Sequence, residues 1–276
     1  MTSLFAARFW RKAWAFVVRD FLDEASYKLY FFLTLWGVVF AVLVFFFLSR
    51  VIPEQGAAAL APYGGRYFPF VLVGFAMAHY LELAMHGLGR RIREGQLLGT
   101  LEALFVTRTP AWQILFFLVL YPFLFTSLMV MLYLALGWAF FGVDLSHAAW
   151  GSALAFFLLT GLSLAPLGIL SAALILLVKR GDPVSFAVTG LSYLLSGVFY
   201  PVEVMPGWLQ TAAQFFPLTH SLEGLRRSLL AGAPLWEDPF GLAVLLFFAA
   251  GLLPFSLWVF GRALAYARRT GGLHHY

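Results

Sequence analysis

Two sets of polar residues stand inside long apolar stretches at spacings that could do chemistry. His79, Glu82 and His86 fall at i, i+3 and i+7, which puts one carboxylate and two imidazoles on a single helical face. Such a set could ligate a metal, but zinc takes three or four ligands and no second cluster completes the number, so no metal is expected. A glutamate at membrane depth costs about 2.5–3.5 kcal/mol, so Glu82 is expected at a transport pathway, a subunit interface or a structural hydrogen bond. Ser185, Thr189, Ser192 and Ser196 recur at i, i+4, i+7 and i+11. That hydroxyl stripe could line a polar path or bond across packed helices. Gly161, Ala165, Gly168 and Ala172 form a small-residue face suited to close helix approach.

Catalytic chemistry finds little footing. Gly161-Leu162-Ser163 has the look of a buried intramembrane serine nucleophile, but the last apolar stretch holds no histidine to act as its base. There is no H-E-x-x-H and no G-x-S-x-G. A phosphate-binding loop needs Gly-Lys, and Lys12, Lys28 and Lys179 all follow other residues. No catalytic residue is expected, and any ATP must be hydrolysed elsewhere. Cysteine is absent, which removes disulfides, thiolate metal sites and Cys nucleophiles together.

The elements that position these residues must sit in lipid. The chain has 276 residues, 62% hydrophobic and 11% charged, against roughly 45–50% and about 25% in soluble domains. So few charges could not cover a globule holding 31 Phe and 9 Trp. The sequence therefore predicts an all-α polytopic membrane protein. The net charge of +5 does not point to nucleic acid, because its cations lie between apolar runs. The first apolar stretch opens at Leu29 and is too long for a secretory leader, and Asp20, Asp23 and Glu24 argue against a transit peptide.

Charge-free intervals predict six spans, at 29–49, 67–87, 113–141, 148–178, 183–200 and 239–261. The fourth interval reads as one tilted or kinked helix with Pro166 at the kink. Thr109-Pro110, Asp182-Pro183 and Asp238-Pro239 read as capped helix starts. Residues 4–25 predict an amphipathic helix on the membrane surface, with Arg8, Arg11, Lys12, Arg19 and Asp23 on one face and Phe5, Phe9, Trp10, Trp14, Val17 and Phe21 over the rest. It either anchors the chain to lipid or also transmits motion. Arg50, Arg66, Arg226 and Arg227 fall on one side of the membrane and the rest of the 18 basic residues on the other. By the positive-inside rule both termini are cytoplasmic.

Two connecting segments are unlike ordinary loops. The cytoplasmic stretch 90–110 has a basic entry, an expected break at Gly95, and an amphipathic run from Leu97 to Phe105 containing Glu102. That composition fits a helix docking into another protein's groove. The external stretch 201–238 carries Pro201, Pro206 and Pro217 and two helices too short to span, with Trp208 and Trp236 suited to head groups. A re-entrant or surface-lying helix pair is the reading.

Arg93-Glu94-Gly95, Gly99 to Glu102 and Thr109-Pro110, followed by SGVFYP, MPGWLQ and FPLTHSLEGLR, resemble the cytoplasmic and C-terminal signatures of the ABC-2 type transporter permease family. The resemblance implies the membrane subunit of an ATP-binding-cassette exporter in the cytoplasmic (inner) membrane. Two permease subunits would pair, as a homodimer, and each would dock a cytosolic ABC ATPase that binds ATP and Mg, with no cofactor in this chain. The docking surface implied is the N-terminal helix with Arg93, Glu94, Gly95, Thr100, Glu102, Thr107 and Pro110. Pro201, Pro206, Pro217, Glu223 and Arg226 would belong to the external motif. The second and fifth spans would move to open a path between subunits for a drug, lipid or saccharide. The rival readings are a stand-alone proton-coupled transporter using Glu82 and His79, and a membrane-embedded enzyme at the polar face of the second span.

Overall fold

The computed structural model describes residues 2–51, 57–178 and 183–269, and among these residues every regular element is helical. Helix α1 is Thr2–Ser26 and α2 is Lys28–Val51. After the short α3, Ala57–Leu60, α4 runs Tyr67–Glu82 and passes through a π turn, Leu83–Gly87, into α5, Leu88–Leu97. Then come α6 (Thr100–Val106), α7 (Ala111–Phe141), α8 (Trp150–Val178) and α9 (Pro183–Leu195). Two shorter helices follow, α10, Gly207–Ala213, and α11, Pro217–Leu230. The last crossing is α12, Pro239–Leu246, a π turn at Phe247–Leu252, and α13, Leu253–Arg269.

Among the described residues, five helices are long and apolar enough to cross a membrane: Lys28–Val51, Tyr67–Leu97, Ala111–Phe141, Trp150–Val178 and Pro239–Arg269. The expected fifth interval, 183–200, is different. Its helix stops at Leu195 and the chain turns at Gly197, whose φ of 73° suits glycine. The 13 residues of α9 give about 20 Å of rise, short of the ~30 Å hydrocarbon layer.

The second span is longer than its charge-free interval. Tyr67–Leu97 is continuous over 31 residues, about 46 Å, so its C-terminal part extends past the hydrocarbon. Residues 90–97, expected to open a loop, are therefore helix. Gly95 does not break it: Gly95 is buried inside α5, where a Cβ would lie 3.3 Å from the Leu101 Cβ. The break falls at Gly99, with φ at 69°. Gly95 is the contact that lets α6 fold back on α5.

Local signals explain the other boundaries. Asp238 caps α12, its carboxylate accepting from the Gly241 amide at 2.9 Å. Thr109 does not cap α7; Pro110 occupies that position, and the Thr109 hydroxyl accepts from Lys12 at 2.8 Å. Asp182 lies outside the described residues. The interval between Asp144 and Lys179 forms the single helix α8 with Pro166 inside it.

Helix α4 is apolar all round because protein surrounds it, and Phe70, Val71, Leu72, Val73, Ala76 and Met77 are all buried. Helix α2 is equally apolar for the opposite reason: Phe32, Trp36, Phe40 and Phe47 are exposed, as suits a lipid-facing or subunit-facing surface. A second core, at the α5–α6 end, joins Ile92 of α5, Leu101 and Phe105 of α6, Leu176 of α8 and Phe260 of α13. The small-residue face of α8 is used for close approach, with Gly161 against the Phe123 ring and Gly168 against the Ala84 carbonyl.

Candidate functional site

The two polar sets read from the sequence meet at one seam. The π turn at Leu83–Gly87 widens the helix where α8 and α9 press on it. Such turns leave carbonyls without their usual partner. The Ser171 hydroxyl donates to the Met85 carbonyl at 3.0 Å and accepts from the Ser185 hydroxyl at 2.7 Å. One turn along, Thr189 Oγ1 lies 3.2 Å from His86 Nε2, which stands 3.8 Å from the Glu82 carboxylate. His79 contacts its own helix, with Nδ1 at 3.0 Å from the Phe75 carbonyl and its ring between Phe75 and Tyr133. Ser192 and Ser196 are buried on the same face of α9, and the Ser196 hydroxyl has no hydrogen-bond partner among the described residues. Ser185 thus bonds to α8 and Thr189 to the π turn, and all four hydroxyl residues are buried. Among the described residues, no three His, Asp or Glu side chains are placed to hold a metal ion.

Glu82 is the exception to this packing. Its side chain is 45% exposed and opens onto a cavity of about 490 Å³ between α1, the α4–α5 helix and α7.

The elbow between α5 and α7, carrying α6, presents a second arrangement. Leu101 and Phe105 turn inward, while Leu97, Leu98 and Val106 are 61%, 76% and 77% exposed. Glu94, Thr100, Thr107 and Pro110 lie on the same exposed rim, and Arg93 and Glu102 are half-buried within it. Thr107 ends α6 by donating to the Leu104 carbonyl at 2.8 Å and accepting from the Thr109 amide at 3.3 Å. Arg268 of α13 clamps the elbow from below, donating to the Phe105 carbonyl at 2.7 Å.

Asp20 is the residue that the sequence reading passed over. It is 2% exposed, and its carboxylate lies 2.7 Å from Arg19 and 3.3 Å from Arg91, tying α1 to the α5 extension. A signal was available in its spacing. Asp20 shares a face with Phe9, Ala13 and Phe16, the face that packs on α7 through Phe116 and Phe117, and not with the basic residues. Trp10, Trp14 and Phe21 form a third, exposed face.

At the opposite end of the molecule, Arg226 is 3% exposed and has three carbonyl acceptors: Phe70 at 3.0 Å, Gly197 at 2.7 Å and Val198 at 2.9 Å. Its guanidinium also lies 3.5 Å from the centre of the Phe70 ring. Burial lowers its pKa from the ordinary arginine value, opposed by Tyr63, Glu223 and Glu203. Counted as a loop cation in the sequence, Arg226 is a buried pin joining α11, α4 and the turn after α9. Gly74 is what admits it, since a Cβ there would meet Arg226 Nη2 and the Val198 carbonyl. Glu223 holds Arg227 at 2.5 Å and accepts from the Tyr63 hydroxyl, whose pKa burial pushes above its usual range. Pro206 and Pro217 sit at the starts of α10 and α11, and Pro201 precedes a short 3-10 turn.

Residues 11–230 match the ABC-2 type transporter family, a span that includes most of α1, the elbow, the seam and the external pin. This chain belongs to the ABC-2 type transporter family. No curated protein matches it. As an ABC-2 chain with five helices able to cross a membrane, it is a multi-pass transport subunit whose family domain lacks its own nucleotide-binding domain.

Proposed function

We propose that this chain is the permease subunit of an ABC exporter in the cytoplasmic membrane, driven by ATP and Mg bound to a separate cytosolic ATPase. The observation that carries the reading is the elbow. Leu97, Leu98 and Val106 stay exposed beside charged residues, on a rim braced from three directions by Lys12, Arg268 and the Asp20–Arg91 pair. A braced apolar knob on the most basic side of the protein suits a groove in a partner and would carry a push into the long α4–α5 helix. Arg93, Glu94, Thr100, Glu102, Thr107 and Pro110 surround that contact, with Gly95 setting the α5–α6 distance.

Two copies would pair through lipid-exposed apolar faces of α2 and α9, among them Phe40, Phe186 and Leu194. The short α9, followed by α10 and α11, forms the external re-entrant region, and both termini are cytoplasmic by the basic-residue bias. Drug, lipid or saccharide cargo is consistent with the family.

The test is co-purification of the ABC ATPase with the full chain. Leu98→Asp, which puts a charge in the centre of the knob, is expected to reduce the recovered ATPase about tenfold, the effect of losing roughly 1.4 kcal/mol of contact. Recovery at the wild-type level would remove the elbow as the docking surface.

A further inference from the structure

We infer that the Glu82 cavity is a binding site for a cationic amphiphile that enters from the cytoplasmic leaflet. This rests on the export reading and names a class of cargo for it. Glu82 lies 15 residues beyond Tyr67 in the continuous Tyr67–Leu97 helix, about 23 Å along the axis and within the inner half of the hydrocarbon layer. A half-exposed carboxylate at that depth is costly unless a polar space or a cation meets it. Its neighbours are His86, at 3.8 Å, and the Tyr193 hydroxyl, which hydrogen-bonds it.

The surrounding cavity has the wrong balance of charge for an anion. Asp23, Glu24, Glu82 and Glu94 face it, against Arg90 and an Arg91 already paired with Asp20. Tyr27, Tyr30 and Tyr121 add aromatic rings to the same wall, which together with carboxylates is the chemistry that holds an ammonium or other soft cation. The space continues upward. His79, Phe125 and Thr126 also line a second cavity of about 340 Å³ between α2, α4 and α7, whose remaining wall includes Val38, Ala41 and Met129. The two together span a charged end and an apolar end, within the size range of sites for drug-sized molecules. A single positive charge on an apolar or aromatic body fits this sequence of surfaces.

The experiment is equilibrium binding of tetraphenylphosphonium to the full chain in nanodiscs of zwitterionic lipid, with no ATPase present. The expected result is saturable binding that neutral triphenylphosphine oxide does not displace. Glu82→Gln should weaken it about tenfold and Ala41→Trp, which fills the apolar end, by a similar factor. Asp23→Asn, on α1 and outside the α4 core, should weaken it two- to threefold and serves if Glu82→Gln does not fold. Equal affinity in the charge-neutralised variants, displacement by the neutral compound, or no saturable binding because lipid tails or a second copy fill the space would each overturn the inference. Because the ATPase is absent, failure here leaves the elbow proposal standing, and failure of the elbow proposal leaves this binding unaffected.

Discussion

Arg226 concentrates more structure on one side chain than any other polar residue on the external side. Three carbonyls from two separate elements converge on it, so removing the guanidinium leaves several buried acceptors unmatched, each costing about 1–3 kcal/mol. Arg226→Met should lower the thermal midpoint in detergent strongly. Arg226→Lys should not restore it, because one ammonium cannot reproduce the planar fork. Gly74→Ala should cause a comparable loss through the opposite route, by leaving no room for an unchanged arginine. A midpoint within a degree of wild type for Gly74→Ala would mean that Arg226 adopts another path. The family resemblance placed Arg226 in the external motif, but its burial and its carbonyl partners on α4 and the turn after α9 were not visible in sequence. The Asp238 cap was legible, because its partner is the backbone three residues away.

The elements divide in the same way between local and long-range causes. Apolar length identified the five long helices found among the described residues, and the hydroxyl spacing runs along α9 as Ser185, Thr189 and Ser192, with Ser196 just past its end. What periodicity could not give was where α9 would stop, how far α5 would continue past the charged residues Arg90 to Glu94, or the π turn at Leu83–Gly87. The π turn depends on partners distant in sequence, Ala84 on Gly168 and Met85 on Ser171, and the end of α5 on the Gly95–Leu101 approach after the turn at Gly99. Asp20 was missed for a related reason, since its meaning comes from Arg91 on another helix. The α1–α5 link makes a prediction at this scale. Asp20→Asn should reduce transport-coupled ATP hydrolysis several-fold while the ATPase still co-purifies. The exchanged pair Asp20→Arg with Arg91→Asp should recover part of the loss. Equal coupling in wild type and Asp20→Asn would reduce α1 to a membrane anchor.

At the scale of the whole molecule, the protein resolves into an elbow end that is charged and braced, an apolar middle with a half-exposed glutamate, and an opposite end held by buried arginine and proline-started helices; we propose that the elbow end is cytoplasmic. The absence of cysteine makes the orientation directly measurable. In intact cells, Gln210→Cys on α10 should react with a membrane-impermeant maleimide and Thr107→Cys should not; the reverse pattern would invert the topology. The central claim is that this chain supplies a path and a grip but no energy of its own. The most direct test is cargo uptake into inside-out vesicles containing the chain with and without its ATPase. Uptake should require the ATPase and ATP together, and should fall with Leu98→Asp. Full uptake by the chain alone, driven by a proton gradient and lost in Glu82→Gln, would contradict the account.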